Sequence, residues 1–131
     1  MEEIISKARE ELDRNEIPPF AKMLYETHLR KAILKILLSQ ELHKKFKKFK
    51  NYRFKPQPER TMVSFSKNEL VVQCRFICYE EKTGFLTYIE RIPNFIIRVD
   101  IDGSTTVRYY GKDGYQTILT NELHIPCDLK F

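Results

Sequence analysis

From His43 to Lys55 the chain reads His-Lys-Lys-Phe-Lys-Lys-Phe-Lys-Asn-Tyr-Arg-Phe-Lys, a cationic run with an aromatic ring at Phe46, Phe49, Tyr52 and Phe54. Residues 41–60 carry eight cations (Lys44, Lys45, Lys47, Lys48, Lys50, Arg53, Lys55 and Arg60) against two anions, Glu41 and Glu59, for a net charge of +6. The remainder holds fifteen cations and sixteen anions, so the formal +5 of the whole chain comes from this one segment. A phosphodiester backbone attracts such a stripe, because each neutralised phosphate releases condensed counterions, and interleaved rings can stack on unpaired bases. The spacing assigns Lys44, Lys45, Lys47, Lys48, Lys50, Arg53 and Lys55 to phosphates. Tyr52 and Phe54 are the candidate stacking rings, since Phe46 and Phe49 continue an apolar stripe begun by Leu38 and Leu42. A plainer reading of the same residues makes that stripe core and the lysines a solvated face.

Other chemistry is thinner. His124 and Cys127 stand three apart and Cys74 and Cys78 four apart, yet in an extended strand the latter pair would lie about 13 Å from each other, too far for a shared tetrahedral ion or a disulfide. The three cysteines read as buried, reduced thiols. Asp100-Ile101-Asp102-Gly103 begins like a calcium loop but lacks the later oxygen ligands, and reads as a hairpin turn. Glu80-Glu81-Lys82 offers the acidic-x-lysine element of metal-dependent nucleases, placed in a turn without a matching upstream aspartate. There is no Gly-rich phosphate loop, nucleophile elbow or HExxH, and only His28, His43 and His124 could serve acid-base work. These residues predict a protein that is not an enzyme and holds neither metal nor cofactor.

The elements that must carry the basic segment follow from periodicity. Ile5, Ala8 and Leu12 predict a helix over Glu2–Arg14, with Glu2 and Glu3 at its positive end. Pro18 and Pro19 end it, and Pro19 suits the first turn of the next. From Phe20 to about Asn51 helix formers run without Gly or Pro. One stripe (Leu29, Ile33, Ile36) gives way near Ser39-Gln40 to the stripe of Leu42, Phe46 and Phe49, which predicts a break or kink there. A straight helix would instead present two apolar faces, one of them to a second subunit.

Lys55-Pro56-Gln57-Pro58 reads as a stiff connector from a helical part (1–55) to a sheet part (61–131). Val63–Phe65, Leu70–Tyr79, Phe85–Ile92, Phe95–Ile101, Thr105–Tyr110 and Tyr115–Leu119 are strand-like, divided by turn compositions that include Pro93-Asn94. Leu123, Ile125 and Leu129 predict a tail that packs back. Tyr88, Tyr109, Tyr110 and Tyr115 could place tyrosines on the sheet's polar face, suited to association.

With 131 residues, 42% hydrophobic and 31% charged, the chain suits one domain and neither disorder nor a membrane core. No apolar run nears the roughly 20 residues that cross a bilayer, and the acidic start is unlike a secretory signal, so a cytoplasmic location is expected. The abundance of Lys and Glu over Gln is a habit of proteins from hot habitats. The expected fold is α+β, with N-terminal helices packed on one face of a five- or six-stranded antiparallel meander. The expected function is non-enzymatic DNA or RNA binding through the basic segment. The competing expectation is a homo-oligomeric structural or protein-interaction module, such as a homodimer.

Overall fold

The computed structural model describes residues 1–38, 52–82, 85–109 and 122–125. Helix α1 spans Glu2–Arg14 and α2 spans Pro19–Leu37. Strands β1 (Tyr52–Ser66), β2 (Glu69–Lys82), β3 (Phe85–Asp100) and β4 (Thr105–Tyr109) form an antiparallel sheet in sequence order. The short segment Glu122–Ile125 hydrogen-bonds along β4. Both helices pack on the same face of the sheet.

The turn between the helices is built from local chemistry. Ile17 N–H donates to Leu12 O at 3.1 Å and Glu16 N–H to Asp13 O at 3.0 Å, the paired bonds of a Schellman ending. Glu16 takes the left-handed position that closes this motif, at φ 56°, where glycine is the usual occupant. Ile17 then packs on the core, and Pro19 opens α2 as the sequence predicts. Three ion pairs run between the helices: Arg9 with Glu26 at 2.6 Å, Lys22 with Asp13 at 2.5 Å, and Arg30 with Glu2.

The core lies between layers. Ile4, Ile5, Ala8 and Leu12 of α1 and Leu29, Ala32, Ile33 and Ile36 of α2 close over alternate sheet residues. From the sheet come Leu70, Val72, Cys74, Phe76 and Cys78 of β2, with Phe95, Ile97 and Val99 of β3 and Val107 of β4. Period-2 alternation makes this possible, since Leu70 to Cys78 of β2 and Phe95 to Val99 of β3 place an apolar residue at every second position. The rings of Phe76 and Phe95 meet edge-on at 5.4 Å, and Tyr25 of α2 meets Phe65 of β1 at 5.5 Å while donating to Asn68 O at 2.7 Å. The stripe of Leu29, Ile33 and Ile36 is thus the buried one. The described helix ends at Leu37, and the expected break at Ser39-Gln40 and the second stripe lie outside the described residues.

Two expectations are corrected. Lys55-Pro56-Gln57-Pro58 is not a connector: β1 begins at Tyr52 and runs through it, pairing Lys55 with Ile77, Pro56 with Phe76 and Gln57 with Arg75. An edge strand tolerates proline because one of its sides needs no ladder donor, and the register breaks directly afterwards, between Gln57 and Met62. Pro93-Asn94 is not a turn either. Strand β3 continues across it, and Pro93 is the extra residue of a bulge, since Arg75 pairs with Asn94 and Phe76 with Ile92. A bulge residue has no ladder bond for proline to lose. Other turns follow their composition. Lys67 and Asn68 both take positive φ (52° and 63°) in the two-residue hairpin between β1 and β2, which suits the twist of the strands it joins. The Asp102 carboxylate accepts from Ser104 N–H at 2.9 Å within the turn before β4, so the calcium-loop residues serve a hairpin. The segment Tyr115–Leu119 lies outside the described residues.

Since Glu16 closes α1 as a non-glycine residue in the left-handed region, Glu16→Gly is expected to stabilise the domain by about 0.5–1 kcal/mol. The midpoint of urea unfolding, at unchanged slope, reads this directly.

Candidate nucleic-acid interface

Of the residues that the sequence assigns to nucleic acid, Lys44, Lys45, Lys47, Lys48 and Lys50 lie outside the described residues, and Tyr52, Arg53, Phe54 and Lys55 open β1. Strand alternation sorts the four. Arg53 and Lys55 are exposed, set two residues apart on one face of the strand, about 7 Å from each other along it. Tyr52 and Phe54 are half-buried on the other face, where both pack against the hydrophobic core. Their rings meet at 5.3 Å and 61°, and burial, then the neighbouring Cys78 thiol, raises the Tyr52 hydroxyl above its ordinary pKa. The two candidate stacking rings therefore give part of their surface to the fold, while the two cations that alternate with them face outward. Across the ladder Arg53 lies opposite Tyr79, and Lys55 opposite Ile77.

Beyond Lys55 the strand turns over the start of α1. Lys7 of α1 donates through its ammonium to the carbonyls of Pro58 and of Thr61, the latter at 3.2 Å, and Thr61 Oγ1 donates to Gln57 O at 2.8 Å. These bonds hold the irregular stretch of β1 against the helix layer. The result is a cavity of about 400 Å³ with Met1, Glu2 and Glu3 on one side, Lys55 to Glu59 on another, and Tyr79 of β2. Gln57 is 8% exposed there, and its Nε2 donates to Glu59 Oε1 at 3.3 Å. Its amide oxygen is buried with no hydrogen-bond partner. Nothing in the sequence signals Gln57, which reads only as the residue between two prolines. Tyr79 reads only as the end of a strand.

The remaining chemical candidates resolve into structure. His28 is buried in α2 beside a small cavity of about 50 Å³, and burial, with the charge of Lys31, holds its imidazole below the usual pKa and therefore neutral at pH 7. Glu80, Glu81 and Lys82 lie within β2, not in a turn. Among the described residues no group of three His, Cys, Asp or Glu side chains could hold a metal ion, and no helix is long and apolar enough to cross a membrane. Tyr88 pairs with Tyr79, Tyr109 with Phe95 and His124 with Thr106, whereas Tyr110, Tyr115, His43 and Cys127 lie outside the described residues. No protein-family model matches this chain, nor does any curated protein or solved structure.

Cys74 and Cys78 are buried on the core side of β2, where burial pushes the Cys74 thiol up to about 12. A thiolate is the reactive form, so both thiols are expected to resist a thiol reagent such as iodoacetamide at pH 8 in the native protein and to react fully in denaturant. Mass spectrometry of the alkylated peptides checks this site by site.

Proposed function

We propose that this chain is a non-enzymatic, cytoplasmic nucleic-acid-binding protein, in which Lys44, Lys45, Lys47, Lys48 and Lys50, continued by Arg53 and Lys55, lie along the phosphate backbone. The observation that carries this reading is charge placement. The net +6 of residues 41–60 is confined to one stretch of chain, and that stretch runs into a strand whose first two cations, Arg53 and Lys55, are both exposed. Tyr52 and Phe54, anchored on the core, hold the cationic side of β1 in position and keep only their remaining ring surface for sugars or bases. None of the seven cations reads base sequence. In the same reading Glu122–Ile125 counts as a fifth strand, completing the expected meander.

Seven cations on phosphates correspond to a slope of log affinity against log salt of about −5 for a single strand and about −6 for a duplex. Titration into labelled single-stranded and duplex DNA and RNA at rising salt is expected to give slopes of at least half those values. Replacing Lys44, Lys45, Lys47 and Lys48 by Glu is expected to abolish binding at moderate salt. Absence of binding to any of the four at low salt would refute the proposal.

A second reading, a homo-oligomeric interaction module, has its own observation. Phe20 (65% exposed) and Met23 (49%) near the start of α2, and Leu34 (41%) and the C-cap Leu38 (74%) at its end, lie on the side away from the core with Thr27 and Lys31 between the two pairs, and exposed apolar groups of this kind mark association sites. On that reading, sedimentation equilibrium gives a concentration-dependent dimer, and Phe20→Glu with Leu34→Glu returns it to monomer.

A further inference from the structure

We infer that the cavity between the first turn of α1 and the irregular stretch of β1 is a nucleotide subsite that takes one unpaired base and prefers a base bearing an exocyclic amino group. This inference rests on the nucleic-acid reading and adds to it a defined pocket and a base preference.

The cavity, at about 400 Å³, lies in the range of small-molecule sites. Its lining is divided chemically. It includes the first two residues of α1, a 13-residue helix whose N-cap Met1 makes no side-chain cap bond, together with Lys55. Unclaimed N–H groups at a helix N-terminus and a lysine both favour a phosphate. Of the two carboxylates on that helix turn, which would oppose an anion, Glu2 is engaged by Arg30 and Glu3 is exposed to solvent. The lining also carries acceptors. Gln57, more than nine-tenths buried, carries an amide oxygen with no partner, and the Glu59 carboxylate beside it already takes the Gln57 amide N–H. A buried acceptor without a donor is costly, and such groups in folded proteins ordinarily meet a partner. The terminal torsion of a glutamine is soft, so the amide can turn to present this oxygen to a donor bound in the cavity. Tyr79 supplies an aromatic wall.

Two neighbouring acceptors select a ligand edge rich in donors. Cytosine, adenine and guanine each present an exocyclic NH₂, whereas thymine and uracil flank their single imino N–H with two carbonyl oxygens, which would face the Glu59 carboxylate. The base must be unpaired, because pairing hides that edge. With its phosphate at Lys55, the next phosphate falls toward Arg53, two residues away on the same face of β1, which joins the cavity to the basic segment.

The test uses the full chain and labelled oligomers of deoxycytidine and deoxythymidine of equal length, two pyrimidines that differ at the group in question. At fixed moderate salt the deoxycytidine oligomer is expected to bind at least about fivefold more tightly, the lower end of discrimination by a directed base contact. Gln57→Leu is expected to remove the preference and leave the salt slope unchanged, and Lys55→Glu to weaken both oligomers alike. Should Gln57→Leu fail to fold by circular dichroism, Glu59→Gln at an exposed position provides the second reading: an amide that can donate is expected to raise deoxythymidine affinity and narrow the gap. Equal affinity for the two oligomers with a steep salt slope would overturn the subsite and leave the nucleic-acid reading standing. No binding to either at low salt would overturn the subsite, and would overturn the nucleic-acid reading as well if duplex DNA and RNA also fail to bind.

Discussion

Burial of the inner face of β2 and β3 is the constraint on which the remaining structure depends. Leu70, Val72, Cys74, Phe76 and Cys78 on one strand, with Phe95, Ile97 and Val99 on the next, present an unbroken apolar face that must be covered. A sheet covered on one face needs a second layer, and the only described elements with matching stripes are α1 and α2. The ion pairs between the helices are exposed and each contributes little. They set the helices side by side, while the shared apolar face holds them down.

That constraint also decides what β1 can be. Phe54, Val63 and Phe65 pack on the core, so β1 must stay in register with β2 at both ends, although Pro56, Pro58 and an out-of-register stretch lie between. The chain resolves the conflict by letting Pro58 to Thr61 leave the ladder, and Lys7 satisfies two of the carbonyls that leaving exposes. A cavity beside the helix start follows from the same detour. Function, on the reading proposed here, uses a place where the sheet had to depart from regularity. The outward cations Arg53 and Lys55 lie on the regular stretch immediately before it.

The same alternation separates positive charge from apolar surface within a very short segment. In Tyr52-Arg53-Phe54-Lys55 the rings go to the core and the cations to the outside, so the rings fix the position of the charges. A helical reading of these four residues would have scattered both around an axis.

Both helices, their proline boundary, the buried stripe of α2, the antiparallel connectivity and the concentration of charge were legible in the sequence, because each depends on residues within a few positions of one another. Proline misled the same reading twice, at Pro56-Gln57-Pro58 and at Pro93. Whether proline ends a strand or sits at its edge or bulge depends on which ladder bonds the neighbouring strand requires, and that is a property of the sheet. The commitment of Tyr52 and Phe54 to the core was hidden for the same reason. Gln57 and Tyr79 came to notice only in the folded chain, since the cavity they line draws on residues 1–3, 55–59 and 79. Local periodicity determined the elements and the charge; packing over the inner sheet face decided where the strand bends, which side chains face water, and which buried amide oxygen is left without a donor.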